Sequence, residues 1–286
     1  IDRQKLDAGI HREVGEILLR LNRHEEALPY LRNALKLQQA RRKPTGLEET
    51  LLGVARYQLG EVDEAMGHFR AALGQSPVPP QAHHYLAVAL ASQGKFTDAL
   101  DHYQKAIPDL TTAAGEDPRQ AMELGLGLSD AHLNLGNLMM RLNQPQQAIE
   151  QYRLATRHAP GEAPPRVALA DALVVTGLPQ MAVEHYKHAL SLTPNQPQAL
   201  HHLAIALVQT GQESASLPYF AAAARLRPQW PAPRQSLAEL SQQSPDAAVR
   251  GAARAVQLDL TASDHAAAGR FAQAATLAQQ ALDQAT

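Results

Sequence analysis

The sequence predicts an all-α fold of stacked helix pairs, and three observations carry that prediction. First, a phrase of a small residue, an aromatic or Leu, and a second small residue recurs six times, its leading residues Ala27, Ala65, Ala99, Ala148, Ala182 and Ser216 being separated by 38, 34, 49, 34 and 34 residues. Second, each copy is preceded by a Leu or Val next to a small residue: Val14-Gly15, Leu52-Gly53, Leu86-Ala87, Leu135-Gly136, Leu169-Ala170 and Leu203-Ala204. Third, the chain of 286 residues is 45% hydrophobic but only 4% aromatic. A core so poor in rings and rich in alanine requires backbones that approach closely.

Each predicted element follows from a stripe of residues. Three residues after the small member of each pair stands Leu18, Leu90, Met139, Leu173 or Leu207, with Arg56 the exception in the second copy. That spacing puts the pair and the apolar residue on one face of a first helix. Asn22, Gly60, Gly94, Asn143, Gly177 or Gly211 comes next, a residue that tolerates the left-handed conformation ending a helix. The second helix then carries its small–aromatic–small stripe, as in Ala65–Phe69–Ala72, Ala99–Tyr103–Ala106, Ala182–Tyr186–Ala189 and Ser216–Phe220–Ala223. Offsets of four and three keep those side chains on one helix face. Copies beginning Ala27–Leu31–Ala34 and Ala148–Tyr152–Ala155 complete the set. Pro77, Pro160, Pro194 and Pro228 close four of the six units, where proline stops one helix and helps to start another.

The units without that proline are followed by extra residues. After the first, the surplus is short; after the third it is the stretch 114–128. There the sequence predicts an extended helix or a longer turn, with a turn at Gly115–Pro118 and then an additional helical turn or two. Beyond residue 230 the pattern degrades. Ser236-Leu237-Ala238 restarts a first helix, and Ser244-Pro245-Asp246 caps a second over Ala247–Leu258. Gly269–Ala274–Ala278–Ala281 repeats the second-helix phrase about ten residues too early for ideal spacing. Either the end is compressed or a loop near Leu258–Asp264 is missing.

These residues resemble tetratricopeptide repeats. The resemblance places full repeats at 8–41, 46–79, 80–113, 129–162, 163–196 and 197–230, an insertion at 114–128, and degenerate repeats over 231–286, all in one continuous solenoid. It implies a right-handed superhelix of antiparallel helix pairs whose concave groove binds a peptide or a partner protein. The groove positions implied for the first helices include Arg12, Glu13, Glu16 and Arg20, then Thr50, Tyr57 and Gln58, then His84, Tyr85 and Ser92. Asn134, Asn137, Arg141, Val167, Asp171, Val175, His201, His202 and Gln209 continue them. Two well-defined binding modes of the family are not supported. Arg12, Glu16, Leu51, Gln81 and Tyr85 do not form a carboxylate clamp, and Asn134 alone occupies the position of an asparagine ladder. The groove is expected to be charged in the first repeat and apolar in the fifth, around a single Asp171.

Other chemistries find little support. Lys and Arg number 26 against 28 Asp and Glu, a net charge of −2 that gives no electrostatic footprint for nucleic acid. Cysteine is absent, which excludes disulfides and thiolate chemistry. No apolar stretch reaches the length of a membrane span, and Asp171 interrupts the richest, 167–178. The thirteen histidines include adjacent pairs His83-His84 and His201-His202, which point about 100° apart on a helix and cannot readily chelate one ion. His185 and His188 share a face, but no third ligand completes a site. Gly125 and Gly127 lack the strand and third glycine of a dinucleotide loop. The expectation is therefore a non-catalytic scaffold with no cofactor, no metal, no catalytic residues and a protein or peptide partner. The alternative is the regulatory or substrate-recruiting part of a larger enzyme, since 231–286 loosely resembles the closing repeats of bacterial proteins joined to membrane-embedded glycosyltransferase-like regions. The first residue is Ile1 rather than Met, so the stretch is read as a fragment, and the lack of a signal peptide in it does not exclude one in the longer chain. Compartment and oligomeric state stay open.

Overall fold

The computed structural model describes residues 7–116 and 121–285, with side chains described at 7–113 and 127–284. Among the described residues there are fifteen helices and no strand. They pack as two compact units, residues up to 142 with 157–159, and 143–156 with the remainder from 160 onward.

The first unit contains α1 (Ala8–Arg20), α2 (His24–Ala40), α3 (Gly46–Gln58), α4 (Val62–Leu73), α5 (Ala82–Ser92), α6 (Phe96–Glu116) and α7 (Ala121–Arg141). Each helix packs on the next, and α1, α3, α5 and α7 also touch in succession. First helices thus form one layer and second helices the other. The small residues are where the layers meet. A β-carbon added at Gly53 would overlap the Phe69 ring, and one added at Gly15 would overlap Leu31. Phe69, Tyr103 and Leu31 are fully buried, and Ala65, Ala72, Ala99 and Ala106 beside them have no exposed surface. Arg56, the exception in the apolar stripe, is paired: its guanidinium contacts Glu61 and lies 3.3 Å from Glu64.

The second unit contains α8 (Pro145–His158), most of which belongs here, and α9 (Ala163–Val175), α10 (Pro179–Leu192), α11 (Pro197–Gln209) and α12 (Glu213–Leu226). α13 (Ala232–Gln243), α14 (Ala247–Ala267) and α15 (Phe271–Ala285) complete it. Tyr186 and Phe220 play the part that Phe69 plays in the first unit, each 1% exposed.

The expected helix stops hold. Gly60, Gly94, Gly177 and Gly211 have φ of 75–82°, and Asn22 and Asn143 reach 57° and 58°. Where proline closes a unit the second helix ends two to four residues before it, as α10 does at Leu192 before Pro194. Without that stop, α2 runs to 17 residues and α6 to 21. The turn expected at Gly115–Pro118 does not begin at Gly115: Gly115 and Glu116 still belong to α6, and 117–120 lie outside the described residues. α7 takes up the rest of the insertion by starting at Ala121.

The C-terminal region also departs from expectation. The second helix does not end at Leu258 but continues to Ala267, so no loop occupies 258–264. Between Gly251 and Gly269 the sequence has neither glycine nor proline to stop it. α14 packs on α12, α13 and α15, one long helix serving partners on both sides. Asp246 caps it as expected, its side chain accepting from the Ala248 amide at 2.8 Å. The phrase on α15 is only partly packed: Ala281 is buried, but Ala278, where the other units place a buried ring or leucine, is exposed.

Candidate functional site

In the first unit, first-helix side chains converge on two neighbouring clefts. One, of about 180 Å³, lies among α3, α5 and α7 and is lined by Tyr57, His84, Tyr85, Asp130 and Asn134 over the Phe69 ring. The other, of about 250 Å³, is lined by Tyr57, Ser92, Asn134, Asn137 and Arg141 over Tyr103. Tyr85 stacks on Phe69 with ring centroids 5.8 Å apart, which fixes its orientation. The Arg141 guanidinium sits 5.2 Å from the Phe96 ring centroid, a cation–π contact that holds the charge at the edge of its cleft. His84 is 6% exposed and forms floor rather than display. Burial pushes its pKa down to about 4, so the ring is neutral near pH 7.

Arg12, Glu16 and Arg20 stand apart from these clefts. Arg12 lies 3.4 Å from Glu16 and 3.5 Å from Glu48, whose side chain is only 2% exposed. Arg12 is thus first a counter-charge for a buried carboxylate, a role that position alone did not reveal. Thr50 is also buried, its hydroxyl donating to the Gly46 carbonyl at 2.8 Å.

In the second unit the expected apolar patch is built around an occupied aspartate. Val167 is half-buried and Val175 is 66% exposed. Asp171 accepts a short hydrogen bond from the Tyr186 hydroxyl, and the same carboxylate oxygen is 2.8 Å from His202 Nδ1. Burial, the Asp171 charge and the hydrogen bond all raise the Tyr186 pKa, so the phenol stays protonated. His201 turns the other way, between Phe220 and Trp230 at centroid distances of 5.4 and 4.8 Å. Desolvation pushes it down to about 4. Adjacent histidines therefore serve different neighbours, as their angular separation requires. In the other pair, His83 Nδ1 meets His102 Nδ1 at 2.8 Å while His84 faces inward. No group of three or more metal-ligating side chains occurs among the described residues.

Sequence reasoning missed a further cleft of about 450 Å³ between α11 and α13, lined by Val208, Glu213, Phe220, Glu239, Leu240 and Gln243 among others. Half of its lining, Glu239, Leu240 and Gln243 included, lies beyond 230, where the repeat pattern degrades. The signal was nevertheless present, because Glu239 and Gln243 lie at i, i+4 on the helix that Leu237 and Leu240 bury.

Among the described residues no helix is long and apolar enough to cross a membrane. Comparison with known proteins follows the repeats. The chain is 35% identical over 96 residues to response regulator aspartate phosphatase E of Bacillus subtilis, a match spanning 30% of this chain and 26% of that protein. Its fold is similar to that of Pseudomonas aeruginosa PilF, with a TM-score of 0.67 at 18% identity, covering 81% of this chain and 97% of PilF. PilW, described as a widely conserved type IV pilus biogenesis factor, aligns with a TM-score of 0.64 at 18% identity over 80% of this chain and 98% of its own. One tetratricopeptide repeat profile matches residues 50–121 and 167–231, and a second profile of the same repeat matches 13–41. With helix pairs, buried small-residue crossings and these matches over more than half of its length, the chain belongs to the tetratricopeptide repeat family.

Proposed function

We propose that the chain is a non-catalytic interaction scaffold that holds an extended segment of a partner protein against the first-helix face. The observation that carries this is the convergence of Tyr57, Tyr85, Asn134, Asn137 and Arg141 on two adjoining clefts of one unit. Asparagine offers both a donor and an acceptor for peptide main-chain groups, arginine a rigid fork, and tyrosine an apolar face with a polar tip. The Asp171–His202 pair is the nearest approach to a catalytic arrangement. The hydroxyl that shares the Asp171 carboxylate is the buried Tyr186 phenol, whose proton is held more tightly than usual, which argues against a nucleophile there. The exposed Val175 adds apolar contact on the second unit's face.

The test begins with capture of partners from the native cell and proceeds to direct binding with the purified partner. Asn137→Ala, Arg141→Glu and Val175→Glu should each weaken that binding, the last by loss of apolar contact and by burying a charge. Arg12→Glu is unsuitable for this purpose, because it would leave Glu48 without its counter-charge. Binding unchanged by all three substitutions, but lost on altering His185 and His188 or the 114–128 insertion, would place the site elsewhere.

A further inference from the structure

We propose that the cleft between α11 and α13 is a subsite for one arginine or lysine side chain of the bound segment. The proposal rests on the binding reading above and deepens it. The cleft, about 450 Å³, falls within the roughly 300–1,000 Å³ of pockets that accept small groups. Its floor is apolar: Phe220 is 1% and Leu240 7% exposed, and Val208 lies beside them. Its rim is acidic. Glu213 is half-buried and held in place, one carboxylate oxygen accepting a short hydrogen bond from Ser244 Oγ, while Glu239 is exposed. Gln243 adds an amide.

The surrounding basic groups do not neutralise these carboxylates. α11 carries no lysine or arginine, and α12 and α13 carry one each. Arg225 on α12 contacts Asp259, and Arg234 on α13 lies 2.8 Å from Asp264, both partners being on α14. Arg250 donates to the carbonyls of Ser244 and Pro245 at 2.7 and 3.1 Å. Two carboxylates over an apolar floor match a side chain with an alkyl stem and a cationic head, since such a chain buries its stem and keeps its charge at the rim. Arginine fits best, because its planar fork can meet two oxygens at once. An aliphatic side chain would strip water from the half-buried Glu213 without replacing it, and an acidic one would be repelled.

The experiment titrates blocked pentapeptides Gly-Ala-Xaa-Ala-Gly into the full chain and follows the amide resonances of Val208, Phe220 and Leu240. Xaa is arginine, lysine, citrulline, norleucine or glutamate. Arginine and lysine should shift these resonances saturably. Citrulline, which keeps the shape and loses the charge, should bind about threefold more weakly or worse. Glu239→Gln, a change at an exposed site, should weaken the arginine peptide and leave norleucine unaffected, and Glu213→Gln should act in the same direction. The subsite is overturned if citrulline or norleucine binds as well as arginine, or if Glu239→Gln has no effect. It is equally overturned if no peptide moves the three resonances. In each of these cases the broader reading still stands or falls separately, on whether Asn137→Ala and Arg141→Glu in the first unit weaken the captured partner.

Discussion

The buried Glu48 shows how a single side chain can change what its neighbour is for. With 2% of its side chain exposed, it has the Arg12 guanidinium 3.5 Å away as its counter-charge. Removing one member of such a pair leaves the other dehydrated, whereas removing both can be nearly neutral. Arg12→Gln should therefore lower stability by about 1–3 kcal/mol, and Glu48→Gln added to it should restore much of the loss. Urea unfolding of the two single variants and the double variant checks this; additive losses would mean that the pair is not coupled. The buried histidines make a second prediction. His84 and His201 keep native pKa values near 4, whereas an unfolded imidazole titrates near 6.5. Between those values the unfolded state binds more protons, so stability is full above about pH 6.5 and falls as pH drops toward 4. Each ring can contribute at most about 2 kcal/mol of that loss by pH 5. Replacing His201 with Phe should flatten the unfolding midpoint between pH 7 and 5; an unchanged slope would show that this ring is protonated normally.

Among the helices, the crossings between first and second members of a pair set the tolerance to change. Ala182 has no exposed surface, so Ala182→Leu should cost about 1–3 kcal/mol through overpacking. Ser216 is the same position one unit later, and its hydroxyl donates only to the Glu213 carbonyl of its own helix. Ser216→Ala should accordingly leave the thermal midpoint almost unmoved. Gly53→Ala should behave like Ala182→Leu, because Phe69 occupies the space. A midpoint unaffected by either change would refute the crossing assignment. These contacts were legible in the sequence because a helix face repeats every three or four residues and small residues mark close approach. The stops at Asn22, Gly60 and their counterparts were legible for the same local reason. What could not be read is which way a side chain turns when both directions suit a helix. His84 and His201 occupy positions that can face outward, yet both turn into the core, beside Tyr103 and between Phe220 and Trp230. The cleft over Phe220 left only a faint trace, Glu239 and Gln243 at i, i+4 on α13, in a stretch where the repeat spacing has failed.

On the scale of whole units, stability in a stacked array is a sum of nearest-neighbour interfaces, so a helix with much of its surface uncovered is held least firmly. α15 has much of its length exposed, including Phe271 at 72% and Leu282 at 63%. Backbone amides beyond Gly269 should exchange with deuterium faster than those of α9–α12; protection there equal to the interior would contradict this. The C-terminal end, however, need not loosen one repeat at a time. α14 touches α12, α13 and α15, and no residue between Gly251 and Gly269 offers it a natural break. A chain drawn out from its C-terminus should therefore release α15 first and then surrender α13 and α14 together, in one larger step. The fused helix makes this end a ratchet with a coarse tooth: any process that threads or pulls the protein from that side meets a single high barrier there in place of two low ones.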